Sequence, residues 1–154
     1  MKEVSPVISN WKYIPTYRTR PDNALPSCGT PSSAGADFCS ADDINVFPGE
    51  TVLVDTGITL SLPEGYFLDL RQRSGLSIEY PNYLANCAGV IDSDYRGTIK
   101  CVIHNTTKRI WRIRKGDRIA QGILVPFMAM RFQVTDTFPS ATERGDGGFG
   151  STGR

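Results

Sequence analysis

The residues best suited to chemistry lie in "GVIDSDYRGTIK", residues 89–100. Asp92 and Asp94 stand two apart, which puts both carboxylates on one side of an extended backbone, and Tyr95 and Arg96 follow at once. The segment reads either as a charged turn or as a site with one carboxylate as general base and the tyrosine as a flat wall against a substrate ring. "RQRSGLS", residues 71–77, adds Arg73, the Ser74 hydroxyl and Gly75, a set suited to holding phosphate oxygens. The C-terminal "RGDGGFGSTGR", residues 144–154, has five glycines, two arginines, two hydroxyl residues and a single phenylalanine. Gly145, Gly147 and Gly150 match the dinucleotide-binding spacing G-x-G-x-x-G, but only four residues follow Gly150, so the helix that motif needs is absent. What is left is a tail with too little apolar surface to order itself and many N–H groups that wrap an anion once something orders it.

Other chemistries find little support. There is no G-x-x-x-x-G-K-[ST], no G-x-S-x-G and no H-E-x-x-H. The single histidine, His104, sits in the apolar alternation of "CVIHN", where a core or interface role is expected, so a Ser-His-Asp triad is poorly supported. Cys28, Cys39, Cys87 and Cys101 form no C-x-x-C, which argues against zinc and predicts reduced, mostly buried thiols. Water attack directed by a carboxylate, on a substrate held by arginines and a metal, matches these residues better.

The elements that must position these groups are short. "TVLVDTGITL" (51–60), "GYFLDL" (65–70), "GTIKCVIHN" (97–105), "RIWRIR" (109–114) and "AQGILVPFMAMRFQV" (120–134) are rich in β-branched and aromatic residues, and several alternate with period two. Turn residues as in "FPGE" and "LPEG" arrive between them, which is the all-β signature. "GVIDSDYRGTIK" reads as strand, hairpin, strand with Ser93 and Asp94 near the tip, and "RIRKGDRIAQ" as strand, turn, strand. One short helix is expected near "SGLSIEYPNYL", limited by Pro81. With 154 residues and 40% apolar content the chain reads as one soluble domain, residues 1–134, followed by an arm, residues 135–154, where apolar density falls. A net charge of +1 argues against stable nucleic-acid binding. Neither a signal peptide nor an apolar run of about 20 residues for a membrane span is present, leaving a cytosolic, nuclear or virion location.

Five segments in order resemble the trimeric deoxyuridine triphosphatases, the dUTPases: "AGADFCS" (34–40), "RSGLS" (73–77), "NCAGVIDSDYRG" (86–97), "GDRIAQ" (116–121) and "RGDGGFGSTG" (144–153). The resemblance implies a small distorted β-barrel or jelly-roll with one short helix and a C-terminal arm that closes a neighbouring subunit's site. It implies hydrolysis of dUTP to dUMP and pyrophosphate with Mg²⁺ on the triphosphate, in a homotrimer. Asp92 would direct the attacking water, Tyr95 would pack beneath the deoxyribose, and Asn86 with the backbone around Gly89 would bond the uracil edge. Arg73, Ser74, Gly75 and Gln121 would hold phosphates. Phe149 would stack on the uracil, with Arg144, Ser151 and Thr152 at the γ-phosphate. No residue would ligate the metal directly, Asp37 acting near it through water. Three positions depart from the family pattern: Ala36 for a bulky residue, Gln72 for a proline and Glu79 for a lysine. The alternatives are a dCTP deaminase-like enzyme of the same fold, which needs a glutamate base, and a nucleotide-controlled module with a regulatory protein partner.

Overall fold

Short alternating runs ended by proline or glycine give short strands. The computed structural model describes residues 12–137 and 142–148. In chain order the described strands are β1 (Thr16–Arg18), β2 (Ser27–Cys28), β3 (Gly35–Cys39), β4 (Ile44–Val46), β5 (Thr51–Asp55), β6 (Ile58–Leu60), β7 (Tyr66–Arg71), β8 (Gly89–Ile91), β9 (Lys100–His104), β10 (Trp111–Ile113) and β11 (Arg118–Pro126). One helix, α1 (Ser74–Glu79), lies between β7 and β8 and stops before Pro81. This is the all-β architecture with a single short helix that the sequence predicts, of the jelly-roll type. In β10, Trp111 and Ile113 are buried and Arg112 between them is exposed, so period-two patterning sets which face turns inward.

The largest sheet is antiparallel, in the order β2-β3-β11-β7-β8, and β5-β9, β4-β10 and β1-β6 form three further pairs. Between them lies a core that includes Phe38, Val54, Leu68, Leu70, Ile103, Trp111 and Ile119. At its centre β11 bonds to β3 on one side and β7 on the other. Gly122 makes that closeness possible, because a Cβ there would lie 2.6 Å from Phe38 and 2.9 Å from Leu68.

Four details differ from the sequence reading. "TVLVDTGITL" breaks into β5 and β6, since Gly57 turns with φ 65° and its N–H donates to Asp55 Oδ1 at 2.7 Å. "GVIDSDYRGTIK" does not fold back on itself: β8 pairs with β7, and β9 pairs with β5. The main-chain groups of Ile99 that a hairpin would need are taken elsewhere, its N–H by Ile58 O at 2.8 Å and its O by Thr56 N–H at 3.1 Å, and the Thr98 hydroxyl donates to Asp55 Oδ2 at 2.8 Å. The last strand ends at Pro126, short of Val134, and Met128, Met130, Phe132 and Val134 stand at least 78% exposed. That stretch keeps its strand-like alternation but pairs with no strand among the described residues. Of the four free cysteines only Cys101 is buried; Cys28 and Cys87 are exposed, because one lies on the edge strand β2 and the other in a turn. Among the described residues no helix is long and apolar enough to cross a membrane.

The Gly122 contact gives a direct test of the packing. Gly122→Ala forces a methyl against Phe38 and Leu68 in a filled core, so stability falls by about 1–3 kcal/mol. Urea unfolding of the two proteins measures this.

Candidate active site

Two clusters of side chains form on the five-stranded sheet. The first lies where β3, β11 and β7 run side by side. Pairing sets Gln121 of β11 opposite both Asp37 of β3 and Arg71 of β7. A carboxylate, an amide and the entrance to the Arg73 loop thus come together. Arg73 Nε donates to Asp37 Oδ1 at 2.8 Å, and Arg118 Nη1 donates to Asp37 Oδ2 at 3.1 Å. One carboxylate holds two guanidiniums. The Asp37 and Arg73 side chains are 17% and 23% exposed but Arg118 is 58% exposed, so the Arg73 pair is the stronger. Gln121 Nε2 donates to Gln72 O at 2.8 Å, and Gly35 leaves it room, since a Cβ there would lie 2.9 Å from Gln121 Oε1. Ser74 and Gly75 follow Arg73 directly and are exposed at the start of α1.

The Arg73 main chain is fixed from below. Its N–H donates to the Tyr83 hydroxyl at 2.8 Å, and that hydroxyl donates to Ile119 O at 2.7 Å. Tyr83 is fully buried, and burial pushes its phenol up to about 12, so it keeps the proton that its bond to Ile119 requires. Trp111 meets the Tyr83 ring edge-on with centroids 5.4 Å apart and stacks on Tyr80 at 3.9 Å.

The second cluster lies where the chain enters and leaves β8. Gly89 pairs with Leu70, and a Cβ on it would sit 3.2 Å from Leu70 Cβ and 3.6 Å from Asn86 Nδ2. Asn86 is exposed just before it. After β8 the Asp92 carbonyl accepts the Tyr95 N–H at 3.2 Å, closing a turn that leaves both side chains exposed. Arg96 Nη1 braces that turn by donating to Ser93 O at 2.7 Å and Tyr95 O at 3.0 Å. The Tyr95 hydroxyl donates to Thr98 O at 3.1 Å, and its ring lies over Gly97, where any Cβ would overlap the hydroxyl.

In the tail, Arg144 Nε donates to Gly147 O at 2.9 Å and Gly147 N–H to Arg144 O at 3.0 Å, around a turn in which Gly145 has φ 53°. Phe149, Ser151 and Thr152 lie outside the described residues. Asp37, Arg73 and Gln121 thus come together, while Asn86 with Gly89 and Asp92 with Tyr95 stand at the two ends of β8. Among the described residues no hydrogen bond or ion pair joins these two clusters to each other or to Arg144. His104 stands apart from both, half-buried with Nδ1 2.8 Å from Thr51 Oγ1 on the β5–β9 pair. Sequence reasoning missed two residues. Arg118 lies three before Gln121 in "GDRIAQ", a spacing that offered a signal, whereas nothing in "YPNYL" marks Tyr83 as a support. No group of three or more His, Cys, Asp or Glu placed to hold a metal occurs among the described residues.

An all-β jelly-roll that pairs a carboxylate-held set of arginines with an acidic, tyrosine-bearing turn has the makings of a nucleotide hydrolase. The dUTPase family model matches residues 22–153. A deoxyuridine 5'-triphosphate nucleotidohydrolase of Finegoldia magna is 44% identical over 134 residues, 86% of this chain and 93% of that relative. The fold matches that of the Staphylococcus bacteriophage 80alpha dUTPase with dUPNHPP at a TM-score of 0.83 and 27% identity, over 94% of this chain and 100% of the other. It also matches a mutant dUTPase from phage phi11 of S. aureus, which coordinates a structural Mg(II) ion, at a TM-score of 0.75 and 22% identity over 84% of this chain and 100% of that one. The chain belongs to the dUTPase family, and as an enzyme it is a dUTP diphosphatase.

The shared carboxylate makes a measurable claim. Asp37→Ala leaves the partly shielded Arg73 guanidinium without its acceptor, and loss of a charge-assisted bond of this kind costs about 1–3 kcal/mol. Urea melts of the nucleotide-free protein against the parent read that cost.

Proposed function

We propose that the two clusters are parts of one catalytic site, completed between subunits of a homotrimer, and that each carries one half of dUTP hydrolysis. One observation carries this reading: a single chain holds both an arginine cluster ordered by Asp37 and an exposed carboxylate and tyrosine on a turn braced by Arg96. A complete site then takes Asp92, Tyr95, Asn86 and Gly89 from one chain and Arg73, Ser74, Gly75 and Gln121 from its neighbour.

In such a site Asp92 is the general base. It takes a proton from a water whose oxygen bonds to the α-phosphorus, while the bond from that phosphorus to the bridging oxygen breaks and pyrophosphate leaves. The exposed Asp92 side chain at a braced turn meets the requirement of reaching such a water. Tyr95, seated over Gly97, is a flat floor for deoxyribose and collides with a 2′-hydroxyl. Asn86 and the main chain near Gly89 take the uracil edge. Arg73, the Ser74 hydroxyl, the Gly75 N–H and Gln121 bind phosphate oxygens, and the arginine offsets charge that builds on the leaving group. From the arm, residues 135–154, Arg144, Ser151 and Thr152 reach the γ-phosphate and Phe149 covers the uracil.

The donor set suits Mg²⁺ that arrives on the triphosphate. That ion keeps several waters and binds through few carboxylates, and Asp37 is the carboxylate that Arg73 holds beside the phosphate-binding groups. When bound, Mg²⁺ neutralises phosphate charge.

The base assignment is checked by steady-state kinetics on dUTP. Asp92→Asn keeps substrate binding and lowers kcat by about 100-fold or more. Asp94→Asn, which alters the other carboxylate of the same turn, changes it far less. Near-parent turnover in Asp92→Asn removes Asp92 from the mechanism.

The divided site is checked by mixing two inactive proteins. Co-assembling Arg73→Ala with Asp92→Asn restores activity in roughly a quarter of sites on random mixing in a cyclic trimer, because some sites then draw both intact halves. No recovery in proven mixed oligomers means that both halves serve a site from the same chain.

A further inference from the structure

We propose that Gln72 is a positioning residue for the phosphate-binding side of the site, an inference that rests on the reading of Arg73 and Gln121 as phosphate ligands. The observation is a closed set of hydrogen bonds around one carboxamide. Two main-chain N–H groups, those of Tyr83 and Leu84, lie 3.1 Å from one end of the Gln72 amide, and the Ser77 hydroxyl lies 2.9 Å from the other. Two donors facing one end require the amide oxygen there, and the amide nitrogen then donates to Ser77. Ser77 in turn donates its single proton to Arg73 O at 3.1 Å, and Ser77 N–H reaches the same carbonyl at 3.1 Å. The Gln72 carbonyl receives the Gln121 side chain at 2.8 Å.

Residue 72 therefore touches one support of Gln121 and one of Arg73. Its main chain holds Gln121, and its side chain clamps the Arg73 carbonyl through Ser77. The clamp has a fixed end and a loose end. Tyr83 and Leu84 are fixed without Gln72: Tyr83 O accepts His104 N–H at 2.8 Å, Ala85 N–H reaches Val102 O at 2.9 Å, and Leu84 bridges to Ile103. The Arg73 loop lacks such a sheet partner, since β7 ends at Arg71 and α1 has six residues with none buried. Removing the carboxamide takes away the anchor on the Arg73 carbonyl, so that the loop keeps only the Tyr83 hydroxyl, Asp37 and Gln121, and it leaves the segment that leads into Asn86 in place. A proline, the residue the family pattern leads one to expect here, has no side-chain group for any of these bonds.

The effect is thus confined to phosphate recognition, which separates positioning from general destabilisation. The test measures dUTP kinetics, inhibition by inorganic pyrophosphate and inhibition by deoxyuridine on the full-length, Mg²⁺-loaded enzyme. It compares the parent, Gln72→Met and Ser77→Ala, the latter breaking the clamp at its far end without stranding the Tyr83 and Leu84 N–H groups. Both variants should raise KM for dUTP and the pyrophosphate inhibition constant, by about tenfold in Gln72→Met, the order expected for a misplaced binding group. The deoxyuridine constant should stay at its parent value. An unchanged pyrophosphate constant in both variants, or equal weakening of pyrophosphate and deoxyuridine, overturns the proposal. Arg73→Ala separates the two levels. If it binds pyrophosphate like the parent, the phosphate reading itself fails; if it loses pyrophosphate while the Gln72 and Ser77 variants do not, only the positioning role fails.

Discussion

Phe38 of β3 and Leu68 of β7 approach each other across the main chain of β11 because residue 122 has no side chain to part them. That contact holds β11 between two partners, and the Asp37–Arg73 cluster hangs from the resulting register. Gln121, one residue before the glycine, is placed opposite Asp37 on one side and Arg71 on the other. A slip of one residue would exchange the faces of β11 and send Gln121 to the side now occupied by Ala120. Hydrophobic closure at Gly122 and polar assembly at Gln121 are thus two results of one register.

From that strand the order spreads by hydrogen bonds. Ile119 of β11 accepts the Tyr83 hydroxyl, which accepts the Arg73 N–H, while Arg73 reaches sideways to Asp37. The guanidinium is held at its side chain and its main chain by groups far apart in sequence. The acidic turn beyond β8 is built differently. It relies on local contacts, with Arg96 bracing Ser93 and Tyr95 and the Tyr95 ring lying on Gly97. One cluster is anchored in the sheet and the other stands on its own turn.

Much of this was legible in the sequence because period-two alternation and turn residues are local signals. The strands at 66–71, 100–104 and 111–113 and the helix stopped before Pro81 fall where such signals place them. Partner choice was not legible. Alternation marks a strand but not its neighbour, so residues 89–100 looked like a hairpin, although Asp55 and Ile58 claim Thr98 and Ile99. The same limit explains the last strand: apolar alternation continues to Val134, but pairing stops at Pro126. Within the two clusters, ordered motifs pointed to Asp37, Arg73, Asn86, Asp92, Tyr95 and Gln121. Tyr83 stayed hidden because a buried tyrosine announces itself only through bonds made across the fold.

The double ion pair on Asp37 also bears on how the protein meets charged molecules at a distance. Two guanidiniums that share one carboxylate present about one net positive charge to approaching anions instead of two. Long-range attraction of a polyphosphate depends on that net charge and is screened over about 10 Å at 0.1 M salt. If this cluster binds phosphates as proposed above, capture is an exchange in which phosphate oxygens replace carboxylate oxygens on guanidiniums already oriented. Ionic strength then has less hold over the encounter than a count of arginines suggests, and selectivity rests on fit at short range.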